Sequence, residues 1–330
     1  MKQNKSLAFI QHRWLVILII AVLLGLVISL FIPWNVSGLS SHPNPAKSYP
    51  EAVQRIEAMQ SNNAAKMNPD CITQFMTHGQ KAQQVIVMVH GYTNCPKQFQ
   101  ELGQRFFDLG YNVLIAPLPH HGLADRMTDE QGQLTAEELA SYADNVVDIA
   151  QGLGNQVVMM GISAGGVTTS WAAQNRSDLD LAVIISPAFG FKQIPTPLTA
   201  PVMHIFSMLP DSYEWWDPAL QAEAGPIHSY PRYSRHALSQ TLRLGFAVQV
   251  KAQRGSPAAK KLLVVTNAND ASVNNDLTAE IVANWRQHGA NLATYEFPTD
   301  LKLGHDLIDP TQADQQIELV YPQLIDLITH

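Results

Sequence analysis

Cysteine, charge and repetition are all scarce in this chain. Its 330 residues hold two cysteines, Cys71 and Cys95. They do not stand in C-x-x-C spacing and no cysteine–histidine pattern surrounds them, so neither a disulfide-dense scaffold nor a structural zinc site is indicated. Asp, Glu, Lys and Arg make up only 15% of the residues, with a formal net charge of −7. A nucleic-acid binder ordinarily shows a basic balance, so that class drops out. Internal repeats and low-complexity tracts are missing too. What is abundant is apolar side chain, 46% of the chain, enough to bury a sizeable core.

One apolar stretch stands apart. Residues 14–32, WLVILIIAVLLGLVISLFI, contain no charged residue. At about 1.5 Å per residue, such a helix comes close to spanning a hydrocarbon core of roughly 30 Å. Trp14 and Trp34 flank it, as aromatic residues do at headgroup level. No polar face interrupts it, which argues against a buried core helix. A secretory signal peptide is the competing reading, although its apolar core is usually shorter. Lys2, Lys5 and Arg13 precede the run, whereas Lys47 against Glu51 is all that follows nearby. The positive-inside rule then leaves 1–13 cytoplasmic, makes 14–34 a transmembrane anchor and exports the remainder to the periplasm or cell exterior. Residues 35–50, rich in Ser, Pro and Asn, read as a linker. In an oxidising compartment Cys71 and Cys95 can pair; two unrelated buried thiols are the alternative.

From residue 51 to 330 apolar runs alternate with helical patterns. QVIVMV (84–89), YNVLIAPL (111–118), QVVMMGI (156–162), LAVIIS (181–186), KLLVVTN (261–267) and ATYEF (293–297) read as strands. Between them lie helices over PKQFQELGQRFFDLG, closed by Gly110, and over TAEELASYADNVVDIAQGLG, with a capping box at Thr135. Further helices follow after Ser163, through DLTAEIVANWRQHG and over 311–329. Short unbroken apolar strands separated by helices imply an α/β fold whose largely parallel sheet is covered on both faces. Residues 187–260 break the rhythm with many prolines and fragmentary helical patterns. Such an insertion usually sits over the carboxyl ends of the strands, where ligands bind.

Gly161-Ile162-Ser163-Ala164-Gly165 matches G-x-S-x-G between a strand and a helix, the setting of a nucleophile elbow. A serine nucleophile needs a histidine base and an acid to orient it. Asp270 follows one strand in NANDASV, and His305 follows the next in DLKLGHDLIDP, giving the order Ser, acid, His. Asp276 is a fallback acid, though it reads as part of a helix's first turn. Taken singly, Asp270 could be a turn residue and His305 a surface histidine. Together, at three successive sheet ends, they point to catalysis. Developing negative charge needs donors: the glycine of VHGYTNCP lets the chain turn and aim the Tyr92 amide at the site, and the Ala164 amide is the second. His90 reads as a structural residue of that loop.

The ordered set HGYT, PLPHHG, GISAGG, NANDASV and LGHD resembles the α/β-hydrolase superfamily, nearest in pattern to bacterial carboxylesterases and monoacylglycerol-lipase-like enzymes. The likeness covers roughly residues 80–330. It implies an α/β-hydrolase fold, a lid formed by 187–260 and a Ser163-Asp270-His305 triad that cleaves carboxylic esters through an acyl-enzyme. It also implies an oxyanion hole from the HG loop and the residue after the serine. No metal or organic cofactor is implied. One departure is PLPHHG, where His120 and His121 precede Gly122 in place of the family's P-x-x-G-H-G. Lysophospholipase, thioesterase and peptidase activities fit the same triad, and a non-catalytic hydrolase-like binding module is a remoter alternative.

Phe189, Phe191, Met203, Phe206, Met208, Trp215 and Trp216 could line an acyl pocket for a small-molecule or lipid ester, or pack the insertion on the sheet. Residues 221–261 carry seven Lys and Arg against Glu223 alone, a local charge of +6 (seven minus one), which suggests a basic face toward anionic headgroups.

Overall fold

The computed structural model describes residues 2–33, 36, 38–61 and 64–330, with side chains from His12 onward apart from Ala64. Helix α1 runs from Lys2 to Leu30. Within it His12–Leu30, 19 residues of mean hydropathy 2.7, is long and apolar enough to cross a membrane, and none of it is buried in the protein. Trp34, expected to flank the span, lies outside the described residues.

The segment after α1 is not the free linker its composition implies. Residues 39–46 lie strapped along the helices that follow. Leu39 and Ala46 are buried, Ser41 Oγ and the His42 N–H donate to the Asp144 carboxylate, and the Asn44 N–H donates to Asp148 at 2.8 Å. Both carboxylates are themselves held by the fully buried guanidinium of Arg176, which also bonds Asp178. Burial raises the Asp148 pKa despite that cation, so the strap's donors supply what the carboxylates lack.

Beyond the strap come α2 (Tyr49–Ser61), β1 (Gln74–Met76), β2 (Ala82–Val89), α3 (Gln100–Asp108), β3 (Asn112–Ile115), α4 (Ala136–Leu153), β4 (Gly154–Ile162), α5 (Ala164–Asn175) and β5 (Leu181–Ile185). The insertion holds α6 (Thr199–Met208), β6 (Tyr213–Trp215), β7 (Arg232–Ser234) and α7 (Arg235–Ala252), and β8 (Lys261–Asn267), α8 (Asn275–Gln287), β9 (Leu292–Phe297) and α9 (Ile317–Thr329) complete the chain. Seven strands form one sheet in the order β1-β3-β2-β4-β5-β8-β9, parallel except for β1, while β6 and β7 form a separate antiparallel pair.

The strands are apolar on both faces because both are covered. Val85, Val87 and Val89 of β2 pack with α4 and α5, whereas Ile86 and Met88 pack with α3 and α9. The alternation follows from the two-residue side-chain period of a strand. Helix α4 begins with the expected capping box: Thr135 Oγ1 accepts from the Glu138 N–H, and Glu138 Oε2 accepts from the Thr135 N–H. The insertion is more regular than its sequence suggested, since α7 is an 18-residue helix lying against α5. Four of the seven cations in its basic stretch are held in ion pairs. Arg232, Arg235, Arg243 and Lys260 pair with Asp129, Glu214, Glu137 and Asp180 respectively.

Candidate active site

Ser163 occupies the bend between β4 and α5 with φ 57° and ψ −116°, a conformation that L-residues avoid. The flanking glycines explain how the bend fits. A methyl group on Gly161 would lie 2.2 Å from the Gly165 carbonyl oxygen, and one on Gly165 would lie 2.1 Å from the carbonyl oxygen of Val89 on β2. Strand, helix and neighbouring strand approach too closely here for any side chain. Ala164 is the first residue of α5, so its N–H has no acceptor within the helix.

Asp270 lies just past the end of β8, and His305 in the loop between β9 and α9. His305 Nδ1 is 2.7 Å from Asp270 Oδ2, while Asp270 Oδ1 accepts from the N–H groups of Ser272 and Val273 at 2.9 and 3.1 Å. Burial resists ionisation of Asp270, yet the hydrogen bond and charge of His305 and the two backbone donors hold the carboxyl below its ordinary range. Burial likewise opposes a charged His305, but the bond to Asp270 and the charges of Asp270 and Asp306 outweigh it and raise the imidazole pKa. Nδ1 is thus committed to the carboxylate, with Nε2 on the opposite side of the ring. Asp276 falls in the first turn of α8, whose cap is Asn274.

Ser163 and His305 line one cavity of about 760 Å³, together with Gly91, Tyr92 and Ala164. The insertion supplies much of the remaining wall, including Phe191, Phe206, Trp215, Trp216 and Tyr233. Phe189 takes the other course open to it: its backbone N–H turns back to Pro187, and its 2%-exposed ring packs in the core beside Gly245. Met203 is also buried, and Met208 points into solvent.

The loop after β2 is braced from several sides. His90 is buried and kept neutral by desolvation; its Nε2 accepts from the Leu118 N–H, so Nδ1 carries the proton donated to the Gly91 carbonyl. Tyr92 Oη bonds Gln131 and the Ser234 carbonyl, and Trp216 Nε1 donates to Thr93 Oγ1. A disulfide joins Cys71 to Cys95, Cα atoms 5.3 Å apart, directly beyond this loop. In PLPHHG, His120 and Gly122 both take positive φ, and His121 turns inward between Tyr92 and Tyr230.

Sequence reasoning missed a polar lattice beside His305. Gln98 accepts the Gly91 N–H at 2.8 Å and donates to Asp306 Oδ2 at 2.8 Å, linking the loop after β2 to the residue that follows His305. Asn94 and Gln312 also donate to Asp306. Burial and the nearby Asp309 carboxylate push the Asp306 pKa up. His228 of the insertion bonds Asp309 at 2.9 Å, both side chains buried. Asn94 and Asp306 fall within VHGYTNCP and LGHD, but most of the partners in this lattice lie far off in sequence, Gln98 and Asp306 being 208 positions apart, so no local signal marks their roles.

The sheet order, the strand–serine–helix bend and the carboxylate–imidazole pair define an α/β-hydrolase. Residues 80–296 match the Hydrolase_4 family (serine aminopeptidase, S33), and the chain belongs to that family. No curated protein matches it. Among solved structures, one described with the two metagenome-derived lipolytic enzymes LipS and LipT gives a TM-score of 0.60 at 18% identity, covering 80% of this chain and 99% of that one. The monoacylglycerol lipase of Paleococcus ferrophilus gives 0.59 at 16%, covering 78% and 97%. A soluble variant of the Saccharomyces cerevisiae monoglyceride lipase, in complex with a substrate analogue, gives 0.55 at 12%, covering 78% and 89%.

Proposed function

We propose that the chain is a membrane-tethered serine hydrolase that cleaves carboxylic esters through an acyl-enzyme. Ser163 Oγ attacks the ester carbonyl as His305 Nε2 takes its proton. The amides of Tyr92 and Ala164 hold the oxyanion, and the tetrahedral intermediate then collapses as His305 protonates the departing alcohol. Water repeats the sequence to release the acid. Asp270 orients His305 and stabilises its charged form. Helix α1 serves as the anchor, with the catalytic part on the exported side, and the insertion acts as a lid over the site.

The observation that carries this reading is the Asp270–His305 pair opening onto the same cavity as the elbow serine. The apolar walls, Phe191, Ile194, Phe206, Trp215 and Leu238 among them, suit an acyl chain. The LipS/LipT enzymes and the Paleococcus and Saccharomyces lipases, named for lipid hydrolysis, support the same choice of substrate.

The test is Ser163→Ala. It is expected to abolish turnover of a short-chain aryl ester and labelling by a fluorophosphonate probe while leaving the circular-dichroism spectrum unchanged. Retained turnover would place the nucleophile elsewhere. Parallel rates on ester, thioester and aminoacyl-anilide substrates decide between esterase and peptidase chemistry.

A further inference from the structure

Helix α6 is apolar on two sides. Its inner side buries Ala200 and Met203 against Leu242 and Phe246 of α7, and Phe206 reaches the catalytic cavity. The outer side leaves Leu198, Ile205, Met208 and Leu209 in solvent, the last two 68% and 54% exposed. Ile205 and Met208, three residues apart, share one face of α6, and Leu198 and Leu209 flank it as the two cap residues, seven before and four after Ile205. A continuous apolar stripe of this kind on a water-facing helix marks a surface that meets something apolar.

What it meets is indicated by the chain itself. His204 Nε2 lies 3.0 Å from the carbonyl oxygen of Ile32, at the end of the apolar span. Phe31, Ile32 and Pro33 share a groove with Pro197, Ala200 and Phe246. Met208 lies one turn beyond His204 on the same side of α6, so the exposed stripe adjoins the side that touches the end of α1. There is little slack to separate them. The strap begins at Leu39, which leaves residues 33–38 between it and the span. Six residues reach about 20 Å at most.

We infer that α6 lies on the outer face of the bilayer that α1 crosses, with Ile205, Met208 and Leu209 entering the headgroup–acyl boundary. Helix α6 is then the partition between the membrane and the catalytic cavity, with Phe206 on the enzyme side and the stripe on the lipid side. Esters resident in the adjacent leaflet are the preferred substrates. The inference rests on the reading of α1 as an uncleaved anchor and of the site as an esterase.

The test uses the full chain in vesicles of phosphatidylcholine and phosphatidylglycerol. Cys71 and Cys95 are joined to each other, so a cysteine introduced by Met208→Cys takes a fluorophore alone. A second chain carries Leu109→Cys, an exposed position that closes α3 just before the amino end of β3. Lipids with brominated acyl chains are expected to quench the Met208 label several-fold more than the Leu109 label; equal quenching overturns the inference. Replacing Ile205, Met208 and Leu209 together by serine is expected to slow hydrolysis of a long-chain monoacylglycerol held in the vesicles by about tenfold, because interfacial binding scales with buried apolar area. Turnover of a soluble short-chain ester stays as it was. An unchanged vesicle rate, or an equal loss on both substrates, also overturns it. Release of the chain by alkaline carbonate overturns the anchor reading and this inference with it. Absence of soluble-ester turnover in the native chain overturns the catalytic reading, and the quenching still decides the placement of α6.

Discussion

Replacing Asp270 by asparagine isolates the contribution of one carboxylate oxygen. Oδ1 accepts from the Ser272 and Val273 N–H groups, and an asparagine oxygen at that position keeps both bonds, so the loop after β8 stays in place. Oδ2, 2.7 Å from His305 Nδ1, becomes an NH₂ donor. Nδ1 must then accept, the ring proton moves to Nε2, and the nitrogen that should receive the Ser163 proton is already occupied. In a triad of this design the wrong tautomer costs about 10⁴-fold in kcat, equivalent to roughly 5.5 kcal/mol of transition-state stabilisation. The assay is steady-state hydrolysis of a short-chain aryl ester by the native and Asp270→Asn proteins across pH. His305 acts as a base only when neutral, so the native rate rises with pH through a His305 pKa that Asp270 helps to raise. Without that charge the opposing effect of burial dominates, and the rise moves to lower pH. A loss of less than tenfold, or a rise that moves to higher pH, would refute the assignment of Asp270 as the orienting acid.

Three further outcomes follow from the same geometry. Gly165→Ala forces a methyl group to within 2.1 Å of the Val89 carbonyl oxygen, which is backbone and cannot step aside; destabilisation of about 1–3 kcal/mol or more is expected in thermal melts, together with lost turnover. Replacing Cys71 and Cys95 by serine opens a cross-link spanning 24 positions, and urea unfolding is expected to register a loss of about 3 kcal/mol. Gln98→Ala unties Gly91 from Asp306. It is expected to lower kcat by about 10–100-fold with little change in KM, since the Gly91 turn it steadies aims the Tyr92 amide that is proposed to serve the oxyanion and not the bound ester; an effect confined to KM would contradict this.

The inner strands of the parallel sheet, β2 to β5 and β8, could be read directly because their central residues are covered on both faces and therefore appear as apolar runs, whereas β9 at the edge leaves Ala293, Thr294 and Glu296 exposed. The edge strand β1, three residues long, gives too short a pattern to register. Helix α7 escaped for a different reason: Ser239, Thr241 and Gly245 interleave with Leu238, Leu242, Leu244, Phe246 and Val248 among its buried residues, so the apolar positions do not repeat with one clean helical period. The elbow serine, Asp270 and His305 were legible because each sits where a strand ends, a position fixed by topology. Gln98, Asp306, His228 and Asp309 were not, because their partners are set by the packing of distant loops. The strap was hidden too: its polar composition resembles a loose connector, and the carboxylates that hold it lie about a hundred residues downstream.

That strap fixes where the chain can be cut. A shortened protein that loses the apolar helix but starts at Leu39 keeps every donor to Asp144 and Asp148, whereas one that starts at Glu51 strips them away. Arg176 would then face two interior acids stripped of their other hydrogen-bond donors, each lost donor costing about 1–3 kcal/mol. The boundary of the folded unit is therefore set by an interior charge balance and lies ten residues ahead of the start of α2 at Tyr49.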